Sequence, residues 1–217
     1  MEPIRSHRAA AAPAADGRVS ALSRDGRAPV YPAREDTMLL LPFAEVPPGR
    51  WLLEVGTGSG KVALAAARCG ARVVATDLNP HALRGLRNEA RSQALEVHVV
   101  RTDLARGLGR FDRVLANPPY LPTLPEERDP DRWHNLALDG GPDGCRVTAQ
   151  LMEELDQHLV PNGEAFVLVS SRQDPKRLAR IAADWTARGG ALEVAASRQL
   201  EGERLEVWRL RFAAPYV

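Results

Sequence analysis

Residues 51–61 read WLLEVGTGSGK: an apolar run, a cluster of glycines, and a lysine that opens the alanine-rich segment KVALAAARCG (61–70). An apolar run of this length reads as a buried strand, and the Ala and Leu that follow favour helix. Gly70 fits a C-terminal stop. This order of strand, glycine turn and helix decides the fold, because it recurs along the chain. ARVVATD (71–77) is a second strand, and NPHALRGLRNEARSQ (79–93) a helix with Asn79 as N-cap and Pro80 at its first position. EVHVV (96–100) and FDRVLA (111–116) are strands three and four. Helical spacing returns at Val147, Leu151, Leu155 and Leu159, after which the turn PNG (161–163) leads into the strand EAFVLVS (164–170). Asp174 and Pro175 open another helix, with Leu178, Ile181, Ala182 and Trp185 on one face and Gly189–Gly190 closing it. ALEVAASRQL and RLEVWRLRF form two last strands around EGE (201–203).

Alternating strands and helices demand a mostly parallel sheet covered on both faces, and strands buried on both sides are nearly continuous in apolar residues, as these are. The last two strands are joined by too few residues for a parallel crossover, so they form an antiparallel hairpin. The expected architecture is α/β: a doubly wound, mostly parallel seven-stranded sheet with a C-terminal antiparallel hairpin.

Composition narrows the classes of function. The 217 residues, 44% hydrophobic and 26% charged, suit one soluble domain of ordinary size. No stretch approaches the roughly 18 consecutive apolar residues of a membrane span. A net charge of +1 argues against a nucleic-acid binder that relies on a basic surface. The charge is uneven, since residues 1–34 hold six arginines against Glu2, Asp16 and Asp25. Residues 1–29 lack any period and are rich in Ala, Arg, Gly and Pro, which predicts a poorly ordered arm before a domain at 30–217. Cys69 and Cys145 are too few for a disulfide framework, and the five histidines show no ligand spacing. A reducing compartment and no metal are therefore expected.

In such sheets ligands bind at the carboxyl ends of the strands, where strand order reverses. Three ligand classes compete for the loop after strand one. A phosphate-gripping loop needs a glycine five residues before Gly60 and a Ser or Thr after Lys61; the chain has Val55 and Val62. The dinucleotide fingerprint wants Gly or Ala where Lys61 stands, which counts against a nicotinamide cofactor without removing it. The third class follows from a resemblance. GxGxG with Glu54 two residues before Gly56 resembles motif I of the class I S-adenosylmethionine-dependent methyltransferases. That resemblance implies S-adenosyl-L-methionine as cofactor, with Asp77 accepting from the ribose hydroxyls, Leu78 against the adenine, and Asp103 accepting from the adenine amino group.

ANPPY (116–120) ends strand four. Two prolines cannot continue a central strand, and alone they would mark a simple turn. Beside a cofactor's methyl group they read differently. The Asn117 side-chain oxygen and the Pro118 carbonyl can bind both hydrogens of a planar NH2, so that the nitrogen lone pair faces the methyl. Pro119 stiffens the corner, and Tyr120 offers a flat face to a planar group.

NPPY is shared by adenine-N6 methyltransferases and by the HemK-type glutamine-N5 methyltransferases. The chain looks most like the shorter archaeal and eukaryotic HemK branch, from about Val30 onward. VYPAREDTMLLL (30–41) resembles that branch's VYxPxEDT signature, with its proline one position earlier, and NPPYLPT (117–123) and LDGGPDG (138–144) match its active-site strand and loop. The resemblance implies a cytoplasmic enzyme that methylates the glutamine amide of a Gly-Gly-Gln motif in a class I translation release factor. The alternatives are an adenine-N6 methyltransferase of DNA or RNA and, further off, a protein lysine methyltransferase. It implies cofactor contacts from Thr37, Glu54, Gly56, Thr57, Gly58, Gly60, Asp77, Leu78, Asp103, Leu104 and Asn117. Catalysis falls to Asn117, Pro118, Pro119 and Tyr120, and the loop 121–144, with Trp133, His134 and the GGPDG turn, shapes the entrance. It also makes a small zinc-binding activator subunit plausible as a partner.

Overall fold

A computed structural model describes residues Val30–Phe212; the arm expected at 1–29 lies outside the described residues, as do 213–217. After the short helix α1 (Glu35–Leu40), strand and helix alternate: β1 (Trp51–Val55), α2 (Lys61–Arg68), β2 (Arg72–Asp77), α3 (Pro80–Ser92), β3 (Val97–Arg101). β4 (Phe111–Ala116) leads through α4 (Arg132–Leu138) and α5 (Arg146–Glu154) to β5 (Leu159–Ser170). α6 (Pro175–Ala187), β6 (Gly190–Leu200) and β7 (Glu203–Phe212) complete the fold.

The seven strands form one sheet in the order β3-β2-β1-β4-β5-β7-β6. β1 to β5 pair in parallel, while β7 lies antiparallel between β5 and β6. This is the expected mostly parallel sheet with a C-terminal hairpin. Its order reverses between β1 and β4, so the switch point falls where GTGSG and NPPY emerge side by side.

Successive residues on one strand feed two cores. Leu52, Val73, Leu115, Phe166 and Leu168 pack under α1, α2 and α3, whereas Leu53, Val74, Val114, Val167 and Trp208 pack against α5 and α6. Period-two alternation with both faces apolar is what a parallel sheet requires. Asn79 caps α3 by accepting from the His81 N–H at 2.9 Å, and Asp174 caps α6 by accepting from the Arg177 N–H at 2.7 Å.

Two boundaries differ from expectation. α5 stops at Glu154 and the chain tightens into a 3-10 turn, Leu155–His158, so the helical spacing through Leu159 overshoots. Leu155 and Leu159 are nonetheless both buried, which is why the spacing misleads. β5 starts at Leu159, not at Glu164, so PNG lies inside it. The ladder jumps from Phe111–Leu159 to Arg113–Glu164, with Asn162 at φ +62°, which is a bulge in place of a turn.

Leu115, with none of its surface exposed, sits mid-strand in β4 between β1 and β5. Leu115→Ala is expected to cost about 2–5 kcal/mol of stability, read from urea unfolding curves at unchanged slope.

Candidate active site

At the switch point the carboxyl ends of the strands line a cavity of about 450 Å³. Its first wall is the glycine loop. Gly56 and Gly58 take φ of +70° and +50°, and a Cβ added to Gly56 would meet nothing within 4 Å. Both therefore present bare backbone to the cavity, as close approach of a ligand requires. Gly60 differs. It also has positive φ, +75°, but it does not line the cavity, and a Cβ there would fall 2.7 Å from Leu86 Cδ1. Its role is to let α2 pack against α3.

Glu54 ties this loop to the helix that follows. Its Oε2 accepts from the Thr57 hydroxyl at 2.5 Å and from the Ala63 N–H at 3.0 Å. The carboxyl is buried, and desolvation raises its pKa to about 7 against the lowering effect of those two bonds. Asp77 braces the same loop from β2. Its Oδ2 accepts from the Gly58 N–H at 2.9 Å and its Oδ1 from the Asn79 N–H at 2.8 Å. Burial raises its pKa too. Each Asp77 oxygen, with one donor apiece, keeps a further lone pair for a ligand donor.

Leu78 and Leu104 border the cavity, Leu104 at φ +51°. Asp103 stands at the rim, 45% exposed at its side chain and 3.2 Å from the Arg106 guanidinium. The residues before β1 cover the cavity from above. Asp36 is buried there, accepting through Oδ2 from the Tyr31 hydroxyl at 2.7 Å and through Oδ1 from the Thr37 N–H at 2.6 Å. Thr37 lines the cavity beside it.

The NPPY corner follows β4, next to β1. Asn117, Pro118, Pro119 and Tyr120 all line the cavity. Asn117 Oδ1 is buried and has no hydrogen-bond partner. An orphaned acceptor of this kind costs about 1–3 kcal/mol, so the position marks a place where a donor belongs. The Tyr120 phenol is held well above its ordinary pKa, first by burial and then by the charge of Asp36. It faces that carboxylate as well as the cavity.

α4 roofs the site. Trp133, Leu136, Ala137 and Leu138 line the cavity, and Trp133 meets the His81 ring edge-on at 5.9 Å. His134 and the GGPDG turn, expected at the entrance, are not among the lining residues; the turn is tied to the segment after NPPY by the Gly140 N–H to the Leu121 carbonyl and the Thr123 N–H to the Gly141 carbonyl, both at 2.9 Å. His134 lies 3.2 Å from Asp129, and Asp139 is bound by Arg128 at 2.9 Å and Arg146 at 3.2 Å. A wall beyond the NPPY corner, from Arg172, Leu200, Glu203 and Leu205, was not anticipated. The sequence marks no motif there; only the place of the hairpin in the sheet brings its tip to the cavity.

The acids fit a sulfonium cofactor in charge and place. The carboxylates of Glu54 and Asp77 lie beside a glycine loop of bare backbone, and the orphaned amide oxygen stands across the switch point from them. Among the described residues no group of three His, Cys, Asp or Glu side chains is arranged to hold a metal ion.

Residues 34–130 match the model of the methyltransferase small domain. The chain is 34% identical over 193 residues to the methyltransferase HEMK2 of Mus musculus, covering 83% of this chain and 88% of that protein. It is 41% identical over 143 residues to the release factor glutamine methyltransferase of Deinococcus radiodurans, 63% of this chain but only 51% of that enzyme's length. Among solved structures, that of the E. cuniculi Mtq2–Trm112 complex, responsible for methylation of the translation termination factor eRF1, aligns with a TM-score of 0.65 at 26% identity. It covers 85% of this chain and 99% of that one. The chain therefore belongs to the HemK family of class I methyltransferases.

Proposed function

We propose that the chain transfers the methyl group of S-adenosyl-L-methionine to the side-chain amide nitrogen of the glutamine in a Gly-Gly-Gln loop of a class I release factor. The observation that carries this reading is the buried, unpartnered Oδ1 of Asn117 at the strand-four corner. The relatives named as release factor glutamine methyltransferases supply the acceptor.

The cofactor supplies an electrophilic methyl on sulfur; the chain's residues do the positioning. Gly56 and Gly58 would admit the ligand against bare backbone, and Asp77 would accept from its ribose. Leu78 and Leu104 would hold the adenine, Asp103 would accept from its amino group, and Thr37 would contact the cofactor from the segment before β1. Thr57 and Gly60 act at one remove, Thr57 by holding the Glu54 carboxylate and Gly60 by seating α2. On the acceptor side, Asn117 Oδ1 and the Pro118 carbonyl take the two amide hydrogens. The amide lone pair is delocalised and a poor nucleophile in water. Fixing both hydrogens turns it toward the methyl, and the charge that develops on nitrogen meets two oriented oxygens. Pro118 and Pro119 hold those oxygens still, and Tyr120 flanks the planar amide. No general base is needed, since the alkylated nitrogen can lose its proton to water.

The neighbouring Mtq2 is solved with Trm112, which supports a comparable small zinc-binding activator as a partner of this chain. No helix among the described residues is long and apolar enough to cross a membrane. A release-factor substrate is what supports a cytoplasmic location.

Purified chain, with and without such an activator, is expected to transfer labelled methyl to recombinant release factor. Replacing the Gly-Gly-Gln glutamine by alanine should remove the label, and transfer to short DNA or RNA instead would overturn the reading. Asn117→Ala should lower turnover by about 10²–10³-fold while the cofactor Kd, from calorimetry, stays within about threefold.

Glu54 predicts a pH dependence. A cationic ligand binds its carboxylate form, so cofactor affinity should weaken as pH falls below about 7 and level off above 8. Glu54→Gln should flatten that profile. The unliganded protein behaves oppositely. Because the folded-state pKa lies above the ordinary 4.5, the stabilising protonated state is fully present below that value and lost as pH rises through about 7. Unliganded Glu54→Gln should therefore melt above the wild type at pH 8, by about 1–2 kcal/mol, and with little difference at pH 5.

A further inference from the structure

The proposed cofactor and acceptor contacts account for the cavity from β3 across to β4. They leave unused the part beyond the NPPY corner, where β5 ends and β7 begins. Strand order places this wall on the far side of Asn117 from the glycine loop. It is polar and already ordered. Ser170 Oγ donates to Glu203 Oε1 at 2.5 Å and accepts from the Arg172 N–H at 3.1 Å. Arg172 Nε lies 3.3 Å from Glu203 Oε2, so both carboxylate oxygens are engaged. The turn is fixed again from outside, by Ser171 N–H to the Arg204 carbonyl and Arg204 N–H to Ser171 Oγ, both at 2.9 Å. From inside, the buried Gln173 accepts from the Ser170 N–H at 2.9 Å and donates to the Gly144 carbonyl at 3.0 Å.

The result is an arginine gripped at its base and open at its tip. Its Nη donors make no hydrogen bond or ion pair to any described residue, its side chain is 50% exposed, and it lines the cavity. The Arg172–Glu203 pair also acts on the Tyr120 phenol, Glu203 raising its pKa and Arg172 lowering it, so the pair stands close to the acceptor corner. A guanidinium with its Nε neutralised by a carboxylate is a directional donor more than a bare charge. What it suits is a row of carbonyl oxygens without side chains in the way. Glycines beside the acceptor glutamine present such backbone.

We propose that Arg172, oriented by Glu203, is a specificity-determining residue that binds the backbone carbonyls of the glycine segment beside the acceptor glutamine. This rests on the release-factor reading above and adds to it a site for the peptide main chain. Glu203 is a positioning residue that acts through Arg172, and Leu200 and Leu205 form the apolar floor beside it.

The test is steady-state methylation of release factor by wild type, Arg172→Met, Arg172→Lys and Glu203→Gln, in the presence of the activator if wild type needs it. Arg172→Met should raise KM for the release factor about tenfold or more, leaving kcat within about threefold and the cofactor Kd unchanged. Arg172→Lys, which keeps charge but not the fork, should recover only part of the loss. Glu203→Gln should lie between, since an amide still accepts from Nε. Thermal melts separate this from a structural role, which would lower the melting temperature and kcat together. Wild-type KM in Arg172→Met, or full rescue by lysine, overturns the inference while leaving the release-factor reading intact. A wild-type enzyme that ignores the release factor overturns both.

Discussion

A buried amide oxygen without a donor is the constraint around which this molecule is arranged. Asn117 Oδ1 stands just past the end of the central strand β4, where the order of the parallel strands reverses. Left without a donor, such an oxygen is costly, so the fold holds it ready for one. β4 is locked between β1 and β5, two prolines fix the backbone directly after the asparagine, and Tyr120 is drawn toward Asp36.

The acids on the other side of the switch point show the same compromise in electrostatic form. Glu54 and Asp77 each have a structural task, holding Thr57, Ala63, Gly58 and Asn79 in place. Burial makes ionisation costly for both, and a cationic ligand would relieve that cost. The glycine loop is thus built by the same carboxylates to which we assign recognition of the cofactor. Removing one disturbs shape and affinity together, which is why stability and binding are expected to move in opposite directions at Glu54.

Much of this was legible in the sequence. The sheet follows from apolar runs separated by helices, and the site follows from the glycine loop and NPPY falling at neighbouring strand ends. Thirteen of the fourteen residues singled out for cofactor or catalysis do border the cavity, and the exception, Gly60, is needed one layer behind it. What escaped was whatever depends on three-dimensional return of the chain. The bulge at PNG gives no local signal that distinguishes it from a turn, and the 3-10 turn after α5 preserves burial while changing the backbone. His134 is expected at the entrance from the resemblance of the loop 121–144, yet it pairs with Asp129 and does not line the cavity. Arg172 and Glu203 are separated by a helix and a strand; only the antiparallel course of β7 joins them.

That course has a consequence for how the protein is made. β7 comes last among the described strands but lies inside the sheet, with β6, synthesised earlier, outside it. While the polypeptide emerges from the ribosome, β5 must wait with a bare hydrogen-bonding edge and with Phe166 and Leu168 uncovered by Leu205 and Val207. Until β7 pairs there, that open edge of β5 is where the chain is most prone to associate with a second copy. The cavity wall that carries Glu203 and Leu205 is in place only once β7 has paired with β5.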